Sequence, residues 1–458
     1  MFVREYIRYD VHGLASLIRS HQVSAEQVLD CAFSRLDEVN PTLNAIVTEC
    51  SEFARKCLSE MHGNEPFYGV PLLVKDLGHA IKGVRTTEGS KFFAKNVAKG
   101  TSDLVRKLIS MGFVPFAKTN TPELGLSYVT ESRLLGPCHN PFDTTRTPGG
   151  SSGGSAASVA SGIAPIATAS DGGGSIRIPA ACCGLFGFKP TTGLTPTGPW
   201  VDELWSGMAT NFVITRSIND TSVMFDKLAN NLKSNSYQNK KSLTITELEG
   251  VFAPVPIASE YMNAVNKVKN ILIKAGHNLD KQYLALDLEE IGNCAMTLIA
   301  ANTYAVIKVQ ELESAKEVVP DDVEPVTWEF YQQGKILSAY ELIRAKNRLY
   351  QLLYPLHELL SQTDIVLTPA LAQLPLLIGQ LKTDDEFNSY LQKNTEFSPF
   401  TSLFNQAGLP AMTLPIMFHE HLPISVQLGA AKGNDLLLLS LAKVLQMSLP
   451  DFASVMPI

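Results

Sequence analysis

An α/β fold, with a central mixed β-sheet flanked by helices on both faces, is what this chain predicts, and three observations predict it. Short apolar or β-branched runs alternate with helix-like stretches through the N-terminal half. The unusually small-residue segment Gly154 to Gly162 suits a helix pressed closely against a sheet. Strand-like runs then return near the C-terminus after a long helical stretch.

Taken in order, Ser24-Ala-Glu-Gln27 forms a capping box, and Val28, Ala32, Leu36 and Val39 follow at helical spacing. Asn40-Pro41 is expected to stop that helix. Asn44 to Thr48, Val70 to Val74 and Phe113 to Lys118 read as strands, the last two separated by a helix from Ser102 to Met111 that ends at Gly112. Ile166 to Ser170 reads as the next central strand, and Ser175 to Gly184 as the start of another buried helix. The polar run from Asn230 to Lys241 marks a surface connection. Residues 286–360 look mostly helical, before Asp364 to Pro369, Ala411 to Pro415 and Ile424 to Leu428 return as strands. That late return predicts one continuous domain over residues 1–458, its core at about 60–230 and 360–458 and a helical elaboration at about 286–360.

Composition narrows the function classes. With 45% hydrophobic and 18% charged residues among 458, the chain reads as an ordinary globular protein with ample interior. A formal net charge of −7 argues against nucleic acid as a partner, because phosphate binding calls for a basic face. A small neutral or cationic substrate is electrostatically easier, and a homodimer is left open. The run nearest to a membrane span, Leu436 to Val444, is short and broken by Lys443, and no signal-type pattern opens the chain. A soluble cytoplasmic protein, not bound to membrane, is expected. Seven cysteines without a Cys-x-x-Cys pair suggest neither a disulfide framework nor a zinc site. Cys182 and Cys183 read as small buried thiols.

Two stretches carry the chemistry: Pro148-Gly-Gly-Ser-Ser-Gly-Gly-Ser155 and Ser170-Asp-Gly-Gly-Gly-Ser-Ile-Arg177. No lysine follows the glycines as a Walker loop requires, and a dinucleotide fingerprint is matched only loosely. Acyl transfer needs a nucleophile, a base and donors for an oxyanion. Glycines 172 to 174 would turn consecutive N–H groups toward Ser175, which makes it the nucleophile candidate. No Gly-x-Ser-x-Gly elbow surrounds it, and none of the nine histidines falls in a local motif. Lys75 instead ends an otherwise wholly apolar strand, where burial would lower its pKa toward that of a working base. The plainer reading of Lys75 is a strand-end lysine whose ammonium reaches water.

Pro148 to Ala157, Asp171 to Ala180 and Gly184-Leu-Phe-Gly-Phe-Lys-Pro-Thr191 together resemble the signature of the amidase signature family. The Lys75 segment and Phe404 to Pro410 match as well, so the resemblance runs from about residue 10 to the end. It implies a Ser-cisSer-Lys triad, with Ser175 as acylated nucleophile, Ser151 as the bridging serine after a cis peptide, and Lys75 as base. The reaction implied is hydrolysis of a carboxamide, or of an ester, with no cofactor and no metal. The N–H groups of Gly172, Gly173, Gly174 and Ser175 would hold the oxyanion, with Gly125 grouped among the substrate-binding and oxyanion residues. Ser152, Asp171 and Arg177 would orient these loops. Ser170-Asp171-Gly172, Cys182-Cys183-Gly184 and Thr327-Trp328 look more like the branch containing 6-aminohexanoate cyclic dimer hydrolases and broad bacterial amidases.

Two other readings compete. The A-type subunits of glutamyl-tRNA amidotransferases are similar, but they hold glutamine with an acidic residue where Ser398-Pro-Phe-Thr-Ser402 offers no carboxylate. A catalytically silent binding protein is the other, which the joint presence of Lys75, Ser151 and Ser175 disfavours. His419-Glu420-His421 suits a hairpin tip better than a metal pair. Trp200, Trp205, Trp328 and Tyr331 either wall an acyl pocket or fill core.

Overall fold

The computed structural model describes residues 1–230, 240–452, 455, 457 and 458, so most of the polar connection read at Asn230 to Lys241 lies outside the described residues. Thirteen strands are formed among those residues: β1 (Ile46–Glu49), β2 (Val70–Lys75), β3 (Phe113–Thr119), β4 (Glu131–Ser132), β5 (Gly136–Pro137), β6 (Ile166–Asp171), β7 (Phe186–Lys189), β8 (Thr210–Thr215), β9 (Thr244–Glu249), β10 (Asn278–Tyr283), β11 (Ile365–Pro369), β12 (Ala411–His419) and β13 (Leu422–Gly429). Eleven of them make one sheet in the order β1-β3-β2-β6-β8-β7-β12-β13-β11-β9-β10, while β4 and β5 pair separately.

The sheet is mixed. β2 runs parallel to β3 and to β6, and β9 runs parallel to β10 and β11, whereas the strands between are antiparallel. Helices flank it: Ser259–Lys274 packs on β11, β12 and β13, while Ile218–Leu228 packs on β8 and on Asp435–Gln446. β2 and β3 are buried at every position, which is why they read as continuous apolar runs rather than alternating ones.

Several boundaries differ from the sequence reading, each for a local reason. The capping box at Ser24 is present, but the helix it starts runs through Pro41 to Leu43. The Asn40 side chain takes the N–H groups of Ala45 and Ile46, so the chain turns only after Asn44. β7 and β8 were not anticipated, since Gly187 interrupts the one and a long polar loop precedes the other. β10 is an exposed polar edge strand with no hydrophobic pattern to reveal it.

Residues 288–360 form the three helices Leu288–Ser314, Pro325–Ile336 and Ala339–Leu360, which pack on one another. Among the described residues, no helix is long and apolar enough to cross a membrane. All seven cysteines are free and buried.

Candidate active site

Parallel pairing of β2 with β6 positions the site. Leu73 lies opposite Ala167, so Lys75 and the Ser170-Asp171 pair emerge together at the C-terminal ends of neighbouring strands. This is where open α/β sheets offer unpaired backbone and loop space to a ligand. It also brings together Lys75 and Ser170, which are 95 positions apart.

Lys75 is fully buried. Its Nζ lies 2.8 Å from Ser151 Oγ and 3.0 Å from Ser170 Oγ. Burial pulls its pKa down from 10.5 to about 7, against the opposing fields of Asp171 and Glu88. The reading in which this ammonium reaches water is therefore excluded. Burial alone does not mark a base, however. Lys189 is equally buried and shifted to about 7, yet its Nζ is spent on the Pro190 carbonyl.

Ser151 follows a cis peptide from Gly150, and the loop before it tolerates no side chain. A Cβ at Gly150 would sit 2.6 Å from the Val129 carbonyl oxygen. Ser175 belongs to the second glycine loop, two residues before the helix Arg177–Cys182. The loops are tied by Ser152, whose N–H donates to the Ser175 carbonyl at 3.3 Å and whose hydroxyl donates to the Ser170 carbonyl. Among the described residues no hydrogen bond joins Ser151 to Ser175 directly. Ser175 is one of the residues lining a cavity of about 450 Å³, with Leu126, Met208, Phe252, Ile291 and Met296 among its apolar walls.

Asp171 and Arg177 hold the second loop rigid. Both are fully buried and paired at 2.9 Å. Every guanidinium N–H of Arg177 is used: two go to Asp171, and one each to Thr401 O, Gln427 Oε1 and Asn405 Oδ1. Burial raises the Asp171 pKa, but the guanidinium and its hydrogen bonds outweigh that and hold it near 2. Asn405, Thr401, Gln427 and Ser170 escaped sequence reasoning as supports, although Ser170 opens the second glycine stretch and Asn405 lies in the matching segment Phe404 to Pro410.

The donor set is smaller than the sequence suggested. The N–H of Gly174 donates to Asp171 Oδ1 at 2.8 Å, and that of Gly125 donates to Pro122 O at 3.1 Å. Neither is free for an oxyanion, because a capping carboxylate takes one and a tight turn takes the other. Gly125 nevertheless lines the cavity, and a Cβ there would stand 3.2 Å from Ser151 Oγ. Among the described residues, the N–H groups of Gly172, Gly173 and Ser175 make no such bond.

Of the aromatic candidates, Trp205 lines the cavity. Trp200 is 59% exposed and borders a separate cavity of about 860 Å³ that holds none of these residues. Trp328 stacks on Tyr331 in a satellite core with Phe92 and Phe93. His419 and His421 flank the β12–β13 hairpin tip, and among the described residues no group of three or more metal-ligating side chains is present.

The Amidase family model matches residues 27–439, and the chain belongs to that family of amide-hydrolysing enzymes. It is 31% identical over 456 residues to the lipoamidase of Enterococcus faecalis, covering 94% of this chain and 62% of that protein, so it spans less than two thirds of that relative. It is 30% identical over 476 residues to the 6-aminohexanoate-cyclic-dimer hydrolase of Paenarthrobacter ureafaciens, covering 96% of this chain and 95% of that one. The solved structure of 6-aminohexanoate cyclic dimer hydrolase complexed with substrate matches with a TM-score of 0.86 at 27% identity, over 97% of this chain and 98% of that chain. The A-type subunit of a glutamyl-tRNA(Gln) amidotransferase from Thermotoga maritima shares the fold more distantly, at 24% identity and a TM-score of 0.70, over 98% of this chain and 95% of that chain.

Proposed function

We propose that this protein hydrolyses carboxamides through an acyl-serine formed on Ser175, with Ser151 relaying protons to and from Lys75. The observation that carries the reading is the 2.8 Å contact between a buried, weakly basic Lys75 Nζ and Ser151 Oγ. A neutral amine keeps two N–H groups and one lone pair. With one N–H held by Ser170 Oγ, the lone pair of the neutral amine is available to take the proton of the Ser151 hydroxyl 2.8 Å away.

In the first half-reaction Lys75 takes the Ser151 proton as Ser151 takes that of Ser175, whose Oγ bonds to the amide carbon. The oxyanion is held by the N–H groups of Gly172, Gly173 and Ser175. The C–N bond then breaks as the proton returns through Ser151 to the leaving nitrogen. Water, deprotonated along the same path, attacks the ester and releases the acid.

The apolar lining of the cavity favours an amide whose acid part is an apolar chain. Two relatives are named as hydrolytic enzymes of amides, a lipoamidase and a 6-aminohexanoate-cyclic-dimer hydrolase. A glutaminase reading lacks a carboxylate among residues 398–402. The test is an assay of aliphatic p-nitroanilides and 6-aminohexanoate cyclic dimer with wild type, Ser175→Ala and Lys75→Ala. Loss of turnover in both variants is expected, and wild-type turnover in either overturns the relay.

A further inference from the structure

The turn from Leu204 to Ala209 is held in a conformation that its sequence does not favour. Trp205, Ser206 and Gly207 have φ of 48°, 54° and 94°, the left-handed region that a tryptophan adopts only when its surroundings enforce it. The enforcement is visible on two sides. Asn302, on the helix Leu288–Ser314, donates to Ser206 Oγ at 3.0 Å. Asn405 donates to Met208 O at 3.0 Å, and the same nitrogen donates to Asp171 O at 2.8 Å, so one amide grips both this turn and the second glycine loop.

The clamp presses the indole onto Gly172. A Cβ at position 172 would stand 2.9 Å from Trp205 Cε3 and 3.1 Å from Cζ3, the first of these closer than real Cβ atoms come. Trp205 and Gly172 line the same cavity as Ser175. A peptide N–H that donates to the oxyanion at about 2.9 Å has its nitrogen about 4 Å from the substrate carbonyl carbon, within van der Waals reach of the neighbouring acyl atoms. A wall resting on that peptide therefore meets the first atoms of the acyl chain.

We propose that the Gly172–Trp205 contact is the specificity element of the acyl pocket. The indole occupies the volume that a side chain at 172 would take, seats the Gly172 peptide, and leaves room for an acyl chain that is unbranched next to the carbonyl. This rests on the acyl-serine reading above. It also gives the glycine at 172 a reason of its own, which donor exposure alone does not supply.

The test is a double-mutant cycle of wild type, Trp205→Ala, Gly172→Ala and the double variant, assayed with hexanoyl and 2-methylhexanoyl p-nitroanilide. Trp205→Ala is expected to raise the branched-to-linear ratio of kcat/KM by about tenfold, the scale on which pockets discriminate single carbons. Gly172→Ala is expected to lower kcat roughly tenfold alone, but less than about threefold in the Trp205→Ala background, where its methyl has room. Trp205→Phe, which keeps a ring, should hold the ratio near wild type; Trp205→Leu substitutes for Trp205→Ala if the latter does not fold. An unmoved branching ratio, or an equal cost of Gly172→Ala in both backgrounds, overturns the proposal. Activity surviving in Ser175→Ala would instead overturn the acyl-serine reading.

Discussion

Lys75 Nζ and Ser151 Oγ lie 2.8 Å apart in an interior where the lysine has no exposed surface. A charged ammonium is costly in such a place, and the pull of its pKa down to about 7 states that cost. The same burial supplies a base near neutral pH. Stability and reactivity thus oppose each other at one residue.

Lys75→Met should therefore abolish amide hydrolysis while making the fold more stable at neutral pH. The sign follows from linkage. The unfolded lysine holds its proton to about pH 10.5 and the folded one only to about 7, so the unfolded state binds more protons between these limits and wild-type stability rises with pH across them. The penalty is greatest at and below pH 7. Urea unfolding at pH 7 should show a gain of about 1–4 kcal/mol in the variant. A destabilised variant would contradict the account.

Ser170→Ala should weaken the base without removing it. The hydroxyl accepts a hydrogen bond from Nζ at 3.0 Å, which favours the protonated amine and fixes its orientation. Its loss should reduce kcat by roughly 3- to 30-fold and move the acidic limb of the pH–rate profile to lower pH. A limb that moves upward would place the stabilising interaction elsewhere.

Arg177→Met should destabilise the protein by about 3–5 kcal/mol, since it leaves Asp171 buried without its ion-pair partner. The five bonds of Arg177 span residues 171 to 427, so the effect is global rather than confined to one loop. Denaturant titration measures it. A loss below about 1 kcal/mol, the range of surface pairs, would contradict the reading of this cluster.

Much of the site was legible in the sequence because it lies in contiguous stretches. Lys75 stood out as a charge ending an apolar strand, and the serines stood out against their glycines. Its supports were hidden because they are distant in sequence and unremarkable in type. Asn405, Thr401 and Gln427 meet Arg177 only because β13 and the segment before β12 return against the helix Arg177–Cys182 and the loop before it. Gly174 differs from its expected donor role for a related reason: composition shows which N–H groups can be exposed, whereas hydrogen bonding decides which remain free. In the sheet, β2 and β3 announced themselves by continuous burial, while polar β10 did not.

The central claim, that Ser175 is acylated with Lys75 as its ultimate base, is tested most directly by quench-flow and intact-mass measurement of acyl-enzyme formation between pH 5 and 9, with peptide mapping of the adduct. The account predicts one acyl group on Ser175, formed faster as pH rises through about 7, the folded pKa of Lys75, and lost in Lys75→Met. An adduct on another residue, or a rate indifferent to both pH and Lys75, would contradict it.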